Sequence, residues 1–139
     1  MPKAMPRNID YFSILAAAIL VQLYTNFPSP QDMHSDDFDF EAVDPDEDQY
    51  RLRVLWSNTI HWLADEAYIR FKTEKADRND GSAFNELVLT QKGFEVLSKP
   101  APNNGLDTIG DALSVAFGQL DGPSARDQVD ILIRSALIS

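Results

Sequence analysis

From Tyr11 to Tyr24 the chain reads YFSILAAAILVQLY, with apolar residues on nearly every side of a helical wheel. Such a helix, capped by Asn8 or Asp10 and running to about Asn26, needs burial all round rather than along one stripe. NFPSP (Asn26–Pro30) ends it, because a helix does not continue through two closely spaced prolines. The next residues, QDMHSDDFDFEAVDPDED, read as an acidic, turn-rich connection. Phe38, Phe40 and Val43 can anchor one short helical turn within it. Asp44 as N-cap, Pro45 at the first helical position and Asp46, Glu47 and Asp48 in the positive first turn predict a long helix over about Asp46–Ala67. On that helix Leu52, Trp56, Thr59, Ile60 and Leu63 share one sector, the core face.

The rhythm then changes. Over Ala67–Ala76 the residues Ile69, Phe71 and Thr73 alternate with Arg70, Lys72 and Glu74, a strand period. DRNDGS (Asp77–Ser82) carries an Asp-Gly turn signal, and Ala83–Leu89 returns as a second strand. Thr90 can cap a short helix in which Phe94 and Leu97 share a face. Lys99–Gly105 reads as a linker. Two amphipathic helices follow, the first presenting Leu106, Ile109, Leu113, Ala116, Phe117 and Leu120. In the second, Ser124 and Asp127 resemble a capping box ahead of Val129, Leu132, Ile133, Ala136 and Leu137.

Two local patterns carry a likeness to a known architecture. WLADEAYIRF (Trp62–Phe71) is similar to the end of a recognition helix entering a wing. LTQKGFEVL (Leu89–Leu97) is similar to a wing's second strand passing into a final helix through a Leu-Thr…Lys-Gly step. With the element order, residues 9–99 resemble the winged helix-turn-helix superfamily, and residues 105–139 form a helical extension for dimerisation or for packing against that domain. The chain departs from the pattern at Ala67, where glycine is common, and in the acidic stretch where a second helix is expected. The fold class implied is α/β, mainly α.

Charge is distributed unevenly. The net −10 divides into +1 over residues 1–30, −9 over 31–50, +1 over 51–99 and −3 over 100–139. Nearly all the excess therefore precedes the helix that winged-helix proteins insert into a DNA groove, and like charge there opposes phosphate. The bases that would serve DNA are Arg51, Arg70, Lys72, Lys75 and Arg78, with Asn58 as a reader of base edges. Tyr50, Val54 and Trp62 face outward on the helical wheel. With Leu113, Phe117, Leu132 and Ile133 of the extension they suit a protein interface.

Catalytic chemistry finds little support. The absence of cysteine removes thiolate nucleophiles and thiolate metal sites. DPDED (Asp44–Asp48) fails as a calcium loop, since Gln49 and Leu55 stand where glycine and glutamate are required. His34 lies in a polar acidic loop, and His61, with Asp65 one turn on, suits a surface contact. Phosphate-loop, nucleophile-elbow and HExxH patterns do not occur in the sequence. The apolar run Ile14–Val21 is far shorter than a bilayer span, which favours a buried helix. The expectation is thus a cytoplasmic, non-enzymatic regulatory module with no metal, cofactor, membrane or small-molecule substrate. It binds a protein partner or a second copy of itself, with duplex DNA as the alternative.

Overall fold

The computed structural model describes residues 7–40, 44–76, 82–102, 104–118 and 125–137, leaving Val43, Arg78, the expected 77–82 turn apart from Ser82, Leu120 and Ser124 outside the account. The chain is mixed α/β, mainly helical, with a small antiparallel sheet. Helix α1 (Arg7–Thr25) runs through the middle of the core. Its Ile14, Leu15, Ala16, Ala17, Ile19, Leu20 and Leu23 are all at most 3% exposed, which is the burial on every side that the sequence demands. Helix α2 (Gln49–Asp65) packs against it, as do the C-terminal helices α4 (Ile109–Phe117) and α5 (Ala125–Leu137) and strand β4 (Ser82–Leu89).

The C-terminal helices therefore pack against the domain and share its core. Leu113, Leu132 and Ile133 are buried within the chain, so these three do not form an exposed interface. Their docking is polar as well as apolar. The buried Ser13 hydroxyl of α1 donates to Asp130 Oδ1 at 2.7 Å, and Arg134 Nε holds Oδ2 at 3.0 Å.

Strand β4 is the centre of the sheet. One edge pairs antiparallel with β1 (Gln31–His34), and the other takes β2 (Ile69–Arg70) and β3 (Thr73–Ala76). The β1 pairing corrects the expectation of a purely turn-rich acidic connection, because four residues without strand periodicity pair through their backbones. The pairing is interrupted by a bulge in β4. Glu86 has φ 58°, its N–H donates to Asp32 Oδ1 at 2.9 Å, and the β1 register shifts between Gln31 and Met33. One extra residue turns the following side chains over, so Phe84, Leu87 and Leu89 are all buried despite their uneven spacing. Beyond β1, a 3-10 turn (Ser35–Asp37) and the Asp44 N–H bond to the Phe40 carbonyl carry the chain toward α2.

The expected cap of α2 also moves. Asp48, not Asp44, is the N-cap and accepts from Tyr50 N at 3.0 Å, so the helix begins three residues beyond Asp46. At the far end Tyr68 N bonds Leu63 O and Ala67 N bonds Ala64 O, a Schellman closure with Ala67 at φ 66°. A left-handed position of this kind is one that glycine adopts without strain.

Helix α3 (Gln91–Ser98) starts on this closure, as expected from Thr90. The Thr90 side chain accepts from Gly93 N at 3.1 Å, its hydroxyl donates to the Ala67 carbonyl, and its N–H donates to Tyr68 O at 3.0 Å. Lys92 Nζ caps the Glu66 carbonyl at 2.8 Å and lies 4.4 Å from the Tyr68 ring centroid. Gly93 is needed for a different reason: a Cβ there would come within 2.0 Å of Tyr68 O. The Thr-x-Lys-Gly step thus joins the sheet to α3 over the end of α2.

A short ladder forms within the supposed linker Lys99–Gly105. β5 (Pro100–Ala101) pairs antiparallel with β6 (Asn104–Thr108), which places Leu106 in a strand and starts α4 at Ile109 behind the Thr108 cap.

Two substitutions test this corner. Ala67→Gly should stabilise the fold by about 1 kcal/mol by relieving the left-handed backbone, measured by chemical denaturation. Gly93→Ala should destabilise it by roughly 3 kcal/mol, because the obstacle is backbone and not a movable side chain.

Candidate functional site

The outer face of α2 and the adjoining β2–β3 ribbon hold most of the predicted binding residues. Because Leu52, Trp56, Thr59, Ile60 and Leu63 point inward, Tyr50, Val54 and Asn58 are left outside, with Tyr50 53% and Val54 38% exposed. Trp62 behaves differently. It packs edge-on to Phe12 at 5.2 Å and stacks on Tyr68 at 6.0 Å, so it joins α1 to the end of α2 and is only partly exposed. Phe117 is likewise half-buried. The large apolar side chains that the C-terminal helices do leave exposed are Val115 and Ile131, on faces that helical spacing assigned no role.

Several of the bases near this face, which a phosphate contact would need, already have a carboxylate beside them. Arg51 Nη1 lies 3.4 Å from Glu47 Oε2, and Lys72 Nζ lies 3.5 Å from Glu86 Oε2. Arg53 reaches Asp36 at 3.5 Å. Arg70 and Lys75 are exposed and form no ion pair among the described residues, and Arg78 falls outside those residues. Apart from the largely buried Glu47 carboxylate these side chains face solvent, so each pair contributes little to stability. Their effect is on potential: the bases and acids cancel locally, while Asp46 and Asp48 remain exposed at the start of α2.

Both histidines have partners that the sequence did not reveal. His61 Nε2 lies 3.0 Å from Glu74 Oε1, which ties α2 to β3 across the sheet, not to Asp65 one turn on. His34 Nδ1 accepts from Asp36 N at 2.9 Å while Asp37 accepts from His34 N at 3.2 Å, a reciprocal cap on the 3-10 turn. A nitrogen that accepts an amide proton carries none itself, so the nearby Asp36 carboxylate at 3.6 Å is no ion pair in that tautomer. Among the described residues no cluster of three or more potential ligands could hold a metal ion, and no helix is long and apolar enough to cross a membrane.

The acidic approach to α2 is anchored from inside. The buried Tyr11 hydroxyl donates to Asp44 Oδ2 at 2.6 Å and lies 3.3 Å from Glu47 Oε2. Burial, followed by the Asp44 hydrogen bond and the charges of Asp44 and Glu47, pushes the Tyr11 phenol up to about 12. Asp44 Oδ1 meanwhile accepts from Asp46 N at 3.0 Å. Two carboxylates are thereby held against α1, and their neighbours are turned outward beside Tyr50.

Compared with known proteins, the chain matches no family model, no curated protein and no solved structure.

The Tyr11 contact has a pH signature. Its raised folded-state pKa means that its contribution is whole below about pH 10 and is lost as pH rises toward 12. Tyr11→Phe should cost about 1–2 kcal/mol at pH 7 in urea unfolding, and the gap from wild type should narrow above pH 10. A gap that stayed constant to pH 12 would show that the hydroxyl bond is not what the substitution removes.

Proposed function

We propose that the chain is a winged helix-turn-helix module that works without catalysis, binding a protein through the outer face of α2. A second copy of the chain is the first occupant to test. Support for the architecture comes from the order α1, β1, α2, ribbon, with β4 between β1 and the β2–β3 edge, and from the Schellman turn into β2. Support for a protein partner comes above all from one observation: Tyr50 and Val54 are exposed side by side on α2, one turn apart, beside the carboxylates of Asp46 and Asp48. Aromatic and aliphatic anchors of this kind gain from burial against another apolar surface, whereas a phosphate backbone offers them nothing. Val115 and Ile131 extend the exposed apolar surface of the same chain.

Duplex DNA is the second reading, and Arg70, Lys75 and Asn58 favour it, since all three are exposed and neither base forms an ion pair among the described residues. The two readings differ in salt response and in which variants matter. Under the protein reading, light scattering at rising concentration shows a dimer that Tyr50→Glu with Val54→Glu converts to monomer, and duplex DNA at about 10 µM is not retarded at low salt. Under the DNA reading, retardation occurs, weakens steeply with salt and falls with Arg70→Ala and Lys75→Ala. A chain monomeric at all concentrations and retarded by DNA would overturn the protein reading.

A further inference from the structure

A hollow of about 400 Å³ opens between α1, β1 and the 3-10 turn, and neither Tyr50 nor Val54 lines it. Ile14 and Ala18 of α1, Met33 of β1, Trp56 of α2 and Phe117 of α4 form its walls, with Phe38 beside them. Ile14, Ala18, Met33 and Trp56 are each at most 9% exposed, so these walls belong to the core. A volume of that order behind mainly apolar walls is that of small-molecule sites.

The polar groups around the hollow decide what it can take. His34 Nδ1 accepts from Asp36 N at 2.9 Å, and Asp37 Oδ2 accepts from His34 N at 3.2 Å, so both side chains are engaged in capping the 3-10 turn. Asp39 likewise has an interaction of its own within the chain. Gln22, Asp37 and Asp39 are exposed and stand at the rim, not among the walls. The walls therefore offer an occupant dispersion and burial, and no ionic partner. A charged molecule would give up its hydration there without compensation, and the rim carboxylates oppose an anion further. A neutral molecule that asks for no hydrogen bond gains by displacing water, which such walls hold poorly. An apolar cavity of roughly 150 Å³ is already enough to take up benzene.

We propose that this hollow is a binding site for a small neutral apolar molecule, a hydrocarbon-like compound of about one or two rings. Spacing along the chain marks Trp56 only as core. Nothing local shows that α1, β1 and α4 stop short of filling the space beside it. The site is independent of whatever α2 binds.

The test uses the full chain with isotope-labelled methionine methyl groups, read by NMR. Met33 is in the wall, and the other two methionines, Met1 and Met5, lie at the start of the chain. Met33→Leu assigns the reporting signal. Toluene, benzylamine and benzoate are the probes, one ring carrying in turn a neutral, a positive and a negative group. Toluene should move the Met33 methyl signal through its ring current and raise the melting temperature, with a Kd of about 1 mM or tighter. Benzylamine and benzoate should each bind at least about tenfold more weakly. Ala18→Leu should abolish the toluene response by filling the hollow. Should leucine overfill the core, Ala18→Val is the smaller step and should still weaken toluene severalfold. A Met33 signal unmoved by toluene at millimolar concentration would overturn the proposal. So would equal affinity for a charged probe, or a toluene response that both Ala18→Val and Ala18→Leu leave unchanged.

Discussion

Everything in this molecule is arranged around the need to bury a helix that has no polar side. α1 cannot lie on a sheet or beside one partner helix, because either arrangement would leave half of its apolar surface in water. It therefore takes α2 on one flank, α4 and α5 on another, and β4 as well. Ser13 is one of its few buried polar groups, and Asp130 satisfies it. This arrangement explains why the C-terminal helices are part of the domain: they complete the sheath that α2 and the sheet leave open.

The same constraint organises the charges. Tyr11 sits at the start of the buried run and draws Asp44 and Glu47 inward, which fixes the route by which the acidic segment reaches α2. Other carboxylates of that segment do local jobs as well. Asp48 caps α2, Asp36 meets Arg53, and Asp32 receives the bulged Glu86 amide. An excess that reads as a featureless acidic run is thus largely structural. What it leaves outside is a helix face with apolar anchors and neutralised bases.

The sequence disclosed elements whose evidence is local. The buried character of α1, the core face of α2 and the Thr90 cap follow from spacing and side-chain chemistry within a few residues, and each is found as expected. β1 was hidden because it is only four residues long and its strand character comes from backbone pairing with a partner some fifty residues away. The β5–β6 ladder was hidden for a similar reason, since Pro100 and Asn104–Gly105 look like linker composition. For the candidate site, Tyr50, Val54 and Asn58 could be placed outward by helical geometry. That Leu113, Leu132 and Ile133 are taken up inside the chain, and Trp62 partly so, depends on how distant elements meet α1, which no window of sequence contains. His61 and Glu74 pair across the sheet, a distance that helical spacing does not measure.

The partnership of α1 with α5 has a temporal consequence. Ser13 and Asp130 are separated by 117 positions, and Tyr68 must wait for the Leu137 carbonyl before its hydroxyl is satisfied. As the chain emerges from a ribosome, this water-averse segment appears more than a hundred residues before the helix that sheathes it. During that interval the nascent polypeptide must keep an uncovered greasy rod from sticking to its neighbours, which makes synthesis, more than the finished fold, its period of greatest vulnerability.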